Sequence, residues 1–215
     1  MSIIAPAILA ENPTMYKEQV ERVTGFAERV HIDLTDGEFA PSFTVGVADL
    51  WAPEGWTVDI HVMAHDLAEY IPKLVAVRPN MIIVHAEANG DPLTALGQIR
   101  QAGIKAGVAL LRPTVPQTVA PLIEVADHAL IFSGELGRMG GSASLMQLEK
   151  IRLIKAINPK VEMGWVGGVM VDNAYCLVLG GVDVLNVGSA IQKAGDPPAV
   201  FSQLQQEIRK TGVLG

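Results

Sequence analysis

Eight short apolar runs alternate with helix-length segments along the 215-residue chain, and this alternation limits its fold more than any other feature. The runs are nearly continuous in Val, Ile, Leu, Ala and Met, which is typical of parallel strands buried on both faces. They cover residues 3–9, 29–34, 57–63, 81–85, 105–111, 128–132, 161–166 and 182–187.

Six of the intervening segments space their apolar residues at i, i+3 and i+4, as an amphipathic helix does. Strand–helix alternation indicates an α/β fold, and eight repeats predict a (β/α)8 TIM barrel formed by one domain, residues 1–215. The alternative is an open doubly wound sheet, which needs a Gly-rich loop after its first strand, and residues 10–13 contain no Gly. The expected helices cover residues 16–28, 67–77, 92–102, 145–157, 172–179 and 198–210.

The composition excludes several classes of protein. A hydrophobic fraction of 49% rules out a disordered chain, and the single cysteine, Cys176, rules out an intramolecular disulfide. A net charge of −7 argues against a nucleic-acid partner, which requires a basic face. No apolar run reaches the ~18 residues of a membrane span, and residues 1–6 lack the basic start of a signal peptide. We therefore expect a soluble, cytoplasmic protein with no membrane partner.

Two histidines and one aspartate occupy matching places on neighbouring predicted strands. His31 and Asp33 are two residues apart on the second strand, so their side chains point to the same face, and His61 lies at the equivalent place on the third. Two imidazoles and a carboxylate are suitable ligands for a divalent metal such as Zn or Fe. The alternative is that the histidines are hydrogen-bonded packing residues.

Small-residue pairs follow the last three predicted strands. In a TIM barrel the loops after strands 7 and 8 commonly bind phosphate, and glycine lets backbone N–H groups approach an anion. The sequence therefore predicts a phosphate site at these loops, although tight turns would also explain the glycines. The pairs are Gly140-Gly141, Gly167-Gly168 and Gly188-Ser189.

Together with four longer motifs, these residues resemble the ribulose-phosphate 3-epimerases, a family of phosphate-binding barrel enzymes. The motifs cover residues 4–9, 31–37, 59–63 and 85–88, and the resemblance extends over nearly the whole chain. It implies a barrel of the ribulose-phosphate-binding type and an isomerase, more narrowly a carbohydrate epimerase, with a pentose or ketose phosphate as substrate.

The resemblance also implies roles for individual residues. In the family, a divalent metal (Zn, Fe or Mn) assists proton removal through an enediolate. By resemblance, His31, Asp33 and His61 bind this metal, and Asp33 is also an acid/base. Met63 contacts the enediolate, and the substrate phosphate binds Gly140, Gly141, Gly167, Gly168, Gly188 and Ser189. Such barrels often assemble, and Phe43 and Trp51 are candidates for contacts between copies of the chain.

Four positions depart from the family, one of them after Leu110, where the family's Asn is replaced within residues 111–113. Val166 stands directly before Gly167, where the family has a second Asp; if two residues are inserted, that place falls on Gly164 instead. Ala7 replaces a Ser, and Thr35 replaces a Met. Neither Val nor Gly binds a metal or carries a proton, whereas epimerisation by two bases needs a proton carrier on each face of the sugar.

Two functions therefore stay open. The first is a divergent epimerase or isomerase, in which Asp33 works with metal-bound water, Glu135 or an unassigned residue as the second proton carrier. The second is a catalytically impaired or non-catalytic phosphosugar-binding homologue. Because the fourth ligand is absent, two alternatives also stay open for the metal: the protein binds it weakly, or does not bind it.

Overall fold

Eight parallel strands form a closed barrel in which each strand pairs with its neighbours in chain order and β8 closes onto β1. This computed structural model describes residues 2–210; Met1 and residues 211–215 of the expected domain lie outside the described part. All eight predicted strands are confirmed, with boundaries that shift by no more than two residues. They are β1 (Ile3–Ile8), β2 (Arg29–Thr35), β3 (Thr57–Met63), β4 (Met81–His85), β5 (Lys105–Leu110), β6 (His128–Phe132), β7 (Glu162–Val166) and β8 (Val184–Val187).

Within residues 2–210, helices follow every strand except β2, which is connected to β3 through only a 3-10 turn, Val47–Asp49. Further 3-10 turns, Pro116–Val119 and Leu145–Leu148, lead into α4 and α5. None of the described helices is long and apolar enough to cross a membrane. The helices are α1 (Pro13–Val23), α2 (Leu67–Val77), α3 (Pro92–Gln101), α4 (Ala120–Val125), α5 (Glu149–Ile157), α6 (Val171–Leu179), α7 (Ser189–Gln192) and α8 (Pro197–Ile208).

The first helix lies earlier in the chain than the predicted 16–28. The side chain of Asn12 accepts a hydrogen bond from the backbone N–H of Met15 at 3.0 Å, and Pro13 occupies the first turn, so the helix begins at Pro13. It ends at Val23, two residues before Gly25, whose φ of +96° turns the chain. Helix α4 is not predicted by the sequence, because its six residues are too few for a clear periodicity.

Successive strand residues face alternately outward and inward. Outward residues such as Ile32 and Ile60 pack against the helices, whereas inward residues such as Met81 and Leu130 fill the barrel. Trp165 faces outward and is fully buried, and its Nε1 donates to the carbonyl of Gly167 at 3.1 Å. Trp165 therefore supports the turn after β7 and does not line the barrel.

An ionic cluster closes the barrel at the N-terminal ends of the strands. Two guanidinium nitrogens of Arg29 donate to Glu162 at 2.9 and 2.8 Å, and Nε donates to Asp59 at 2.5 Å. Nδ1 of His128 lies 2.8 Å from the same Glu162. Although burial opposes its ionisation, the contacts with Arg29 and His128 hold the pKa of Glu162 well below its usual range. A Cβ on Gly164 would lie 2.2 Å from Nε2 of His128, so glycine makes room for this ring.

Candidate functional site

A pocket opens at the C-terminal ends of the strands, the end at which TIM barrels carry their active sites. The loops after β6, β7 and β8 form much of its wall, including Gly140, Gly167, Gly168, Gly188 and Ser189 among the predicted substrate contacts. Gly141 is exposed and lies outside that wall. The strand residues in the wall are Ala7, Asp33, Met63, Phe132, Val166 and Asn186.

Asp33 holds together the two histidines of the predicted metal site. Strands β2 and β3 pair so that Asp33 lies beside His61, and His31 lies two residues earlier in β2, on the same face. Oδ1 of Asp33 lies 2.8 Å from Nδ1 of His61 and 3.2 Å from Nε2 of His31. All three residues are buried, and one ligand atom from each lies within 4.8 Å of the others. The structure therefore brings these three residues together as one compact cluster.

The cluster favours a carboxylate beside a neutral imidazole. Burial opposes the ionisation of Asp33, but the two histidines stabilise the carboxylate and hold its pKa well below its usual range. Burial lowers the pKa of His61 to about 4, against the opposing effect of Asp33. An ionised carboxylate and a neutral imidazole are the forms that bind a metal, so the site is ready to do so at neutral pH.

A chain of polar contacts leads from His61 through β4 to the loop after β5. Nε2 of His61 lies 2.9 Å from Nε2 of His85, and Nδ1 of His85 lies 3.2 Å from Glu87. The other oxygen of Glu87 accepts from the backbone N–H of Leu111 at 2.9 Å and from the hydroxyl of Thr114. His85 is fully buried behind the cluster and is not part of the pocket wall. Its position therefore fixes the ring of His61.

The donor set fits a divalent metal. Both ring nitrogens of His31 are buried and lack a hydrogen-bond partner among the described residues; Nε2 is near Asp33 but is poorly aligned with it for a hydrogen bond. A buried polar atom without a partner is costly unless a ligand binds it. Two imidazoles and a carboxylate are also a common ligand set of catalytic zinc and iron sites, which leave a position open for substrate.

The glycine-rich loops meet in the pocket wall, which they share with Asp33 of the cluster. Gly167 has a φ of +100°, and a Cβ there would lie 2.1 Å from the backbone nitrogen of Gly134. A Cβ on Gly168 would lie 2.0 Å from a backbone nitrogen in the same loop after β6. Direct packing of backbone on backbone thus requires glycine at both positions, whether or not phosphate binds. A Cβ on Gly140 would lie 3.6 Å from Oγ of Ser189, so the loops after β6 and β8 also adjoin.

Val166 and Gly164, the two positions at which the resemblance expects a second Asp, lie at different depths. Val166 lies at the end of β7 in the pocket wall, whereas Gly164 lies deeper, against His128. The adjacent strand β8 carries Asn186, which pairs with Val166. Asn186 is missing from the sequence-based predictions, although one amide within the apolar β8 is a detectable signal.

Other polar residues near the pocket hold loops in place. Nε of Arg112 donates to the carbonyl of Ser133 at 2.9 Å, which anchors the loop after β6. The hydroxyl of Thr35 donates to a backbone carbonyl in the loop after β2 at 2.7 Å. Glu135, the candidate second proton carrier, stands in the pocket wall with its side chain 66% exposed, 3.5 Å from Arg138.

Comparisons with known proteins agree with this architecture. A family model for the ribulose-phosphate 3 epimerase family matches residues 3–192. The chain is 32% identical to ribulose-phosphate 3-epimerase of Aquifex aeolicus, over 95% of this chain and 96% of that protein. It is 31% identical to the chloroplastic ribulose-5-phosphate-3-epimerase of Arabidopsis thaliana, over 98% of this chain and 79% of that protein.

Among solved structures, 3-hexulose-6-phosphate synthase from Salmonella typhimurium superposes with a TM-score of 0.72 at 18% identity, covering 96% of this chain and 98% of the other. Orotidine 5'-phosphate decarboxylase from Pyrococcus horikoshii superposes with a TM-score of 0.69 at 14% identity, covering 97% and 100%. At these identities the likeness shows the shared TIM-barrel fold. The family model and the sequence relatives go further: this chain belongs to the ribulose-phosphate 3-epimerase family.

Proposed function

We propose that this protein transfers a proton at a carbon beside the carbonyl of a ketose phosphate, through an enediolate, with a divalent metal held by His31, Asp33 and His61. The position of these three residues next to the glycine-rich loops carries the proposal. The relatives are named for ribulose phosphate, so D-ribulose 5-phosphate is the first substrate to test. When bound, the metal supplies Lewis-acid stabilisation of negative charge on the substrate oxygen.

Asp33 is the base in this proposal. Its carboxylate lies in the pocket wall and is ionised, and the hydrogen bond with Nδ1 of His61 fixes its orientation. Removal of the substrate proton moves the C–H electron pair toward the carbonyl oxygen, which gives the enediolate, and Asp33 holds the proton until it returns to carbon. Met63, buried in the same wall, gives the reacting carbons an apolar neighbour.

The phosphate group binds the loops at the pocket rim. Their glycines allow backbone N–H groups to approach an anion, and the hydroxyl of Ser189 adds a donor. A phosphate held there directs the sugar carbons down the pocket toward Asp33. The proposed contacts are Gly140, Gly141, Gly167, Gly168, Gly188 and Ser189.

The return of the proton differs in one respect from the same step in an epimerase with two bases. Among the strand residues of the pocket wall, Asp33 is the one with a carboxylate. Val166 occupies a place at which the resemblance expects a second carboxylate. We therefore expect the substrate proton to exchange with solvent on the Asp33 face faster than the carbon inverts. Glu135, which is exposed at the rim, is the candidate proton carrier for the other face.

A second function is favoured by Val166 and Ala7, which leave two places in the pocket wall apolar. In that case the protein binds a sugar phosphate without turnover.

Proton NMR in deuterated buffer distinguishes the two functions. Purified protein loaded with Zn, Fe or Mn is mixed with D-ribulose 5-phosphate, and the loss of the C3 proton signal is followed. We expect exchange in the wild type, none in Asp33→Asn, and wild-type exchange in the matched control Asp49→Asn, because Asp49 is exposed in the turn after β2. Binding without exchange in the wild type would instead establish the non-catalytic function.

The cytoplasmic location and self-assembly expected from the sequence stay proposals. Phe43 is 69% exposed and Trp51 is 46% exposed, so both side chains are accessible to a second copy. Light scattering of the purified chain, compared with Phe43→Ser, measures whether copies associate.

A further inference from the structure

Asn186 places a carboxamide within the otherwise apolar strand β8. It lies in β8 and is only 2% exposed, and neither Oδ1 nor Nδ2 has a hydrogen-bond partner among residues 2–210. It belongs to the pocket wall. A buried amide left unpaired is costly, so a residue of this kind in a pocket wall indicates a bound polar group.

The neighbours of Asn186 are apolar on both sides. Strand β8 lies between β7 and β1, and Asn186 pairs with Val166 on one side and Ala5 on the other. The next residue of β1 to face inward, Ala7, also lies in the pocket wall. Of the residues that β7, β8 and β1 contribute to the pocket wall, Asn186 is therefore the one with a polar side chain.

Its depth in the pocket matches the sugar rather than the phosphate. Asn186 lies two residues before Gly188, which places it roughly 7 Å below the rim of the pocket along the strand. The inward residues of β1, between Asn186 and β2, are alanines with a single methyl each, so the space toward Asp33 is not filled from β1. A ligand whose phosphate lies at Gly188 and Ser189 can place its oxygen-bearing carbons in this space.

We propose that Asn186 is a specificity-determining contact for the sugar, hydrogen-bonding a hydroxyl or carbonyl oxygen of the bound ketose phosphate. This inference rests on the proposed function and names the ligand class of the same site, a polyhydroxylated phosphate ester. Nδ2 donates to a substrate oxygen, and Oδ1 accepts from a hydroxyl. A carboxamide does not exchange protons as an acid or base, so Asn186 binds and orients the sugar and does not replace the second proton carrier.

The test compares Asn186→Val with Asn186→Thr, two side chains of the same shape that differ by one hydroxyl. Calorimetry measures the Kd of D-ribulose 5-phosphate and of inorganic phosphate, and thermal unfolding without ligand gives Tm. We expect Asn186→Val to weaken binding of the sugar phosphate about tenfold and to leave inorganic phosphate within about twofold. Asn186→Thr retains more of the sugar-phosphate affinity than Asn186→Val.

The Tm separates a binding role from a structural one. Removal of an unpaired buried amide stabilises the free protein, so Asn186→Val raises Tm while it weakens binding. A lower Tm, or equal losses for both ligands, would overturn the proposal. So would unchanged affinity for the sugar phosphate.

The proton-exchange assay separates failure of this inference from failure of the proposed function. If the wild type binds the sugar phosphate without exchange, the proposed function fails and the Kd values still decide the role of Asn186. Exchange in the wild type with unchanged binding in Asn186→Val would overturn the inference alone. A wild type that binds no sugar phosphate contradicts both.

Discussion

Nε2 of His61 faces Nε2 of His85 at 2.9 Å, so a single proton joins the two rings. Nδ1 of His61 faces the ionised Asp33 at 2.8 Å and therefore carries its own hydrogen. Neutral His61 therefore presents Nε2 as a hydrogen-bond acceptor toward His85. A metal that binds either nitrogen of His61 must replace one of these two hydrogen bonds.

The buried, neutral His61 makes stability depend on pH. Its pKa falls from 6.5 to about 4 on folding, so between these values the unfolded chain binds the proton more strongly. The free energy of unfolding is therefore unaffected by His61 above about pH 6.5. It decreases as the pH falls from there toward 4, by up to ~1.4 kcal/mol per pH unit from this residue. Urea unfolding from pH 4.5 to 7 should show a shallower pH dependence in His61→Asn. His65→Asn, which changes a partly exposed ring, is the control, and equal slopes in wild type and His61→Asn would contradict the prediction.

Placing a carboxylate at the end of β7 should strengthen metal binding. Val166 shares the pocket wall with Asp33, so Val166→Asp supplies a further ligand and should tighten Zn binding on the order of tenfold or more. Without metal, the same variant should lose stability, since it places a second carboxylate in a mostly buried position. Chelator competition measures the Kd. Val166→Asn has the same shape without the charge, and an equal Kd in both variants would refute the prediction.

The turn after β7 should depend on glycine for packing as well as for backbone conformation. Gly167 and Gly141 both have positive φ, +100° and +87°, but a Cβ on Gly167 would lie 2.1 Å from a backbone nitrogen, whereas a Cβ on Gly141 meets nothing within 4 Å. Gly167→Ala should therefore cost about 1–3 kcal/mol more in unfolding free energy than Gly141→Ala. Denaturant unfolding of both variants tests this, and equal losses would show that conformation alone requires glycine.

Sequence patterns predict the barrel well because its strands are buried on both faces. Each strand becomes a short apolar run, and the parallel register then places His61 beside Asp33 without further information. The same register identifies Val166 as the residue at the end of β7. These features follow from the pattern of apolar residues and from the order of the strands along the chain, and both can be read directly from the sequence.

Other features of the site depend on contacts between distant segments. The requirement for Gly167 arises from the backbone of the loop after β6, and the environment of His85 arises from β3 and β5. Asn186 in an apolar strand is visible in the sequence, but its lack of a partner is visible only once β7 and β1 lie on either side. Sequence reasoning therefore finds the candidate ligands but not the contacts that fix their surroundings.

The ionic cluster at the closed end of the barrel should make a large contribution to stability. Arg29 is 12% exposed and contacts both Asp59 and Glu162, so Arg29→Met leaves two carboxylates without their cation. We expect a loss of roughly 3–5 kcal/mol in unfolding free energy. Arg152→Met, which removes a surface pair with Glu149, should cost about 1 kcal/mol or less. Urea unfolding compares the two, and a similar loss in both would contradict the prediction.

The position of this ionic cluster has a consequence for how the protein can evolve. The charged contacts that tie β2, β3, β6 and β7 together lie at one end of the barrel, and the pocket lies at the other. Substitutions at the pocket end leave these charged contacts intact. A lineage can therefore change residues at the end of β7 or within β8, and with them what the pocket binds, without first having to rebuild its fold.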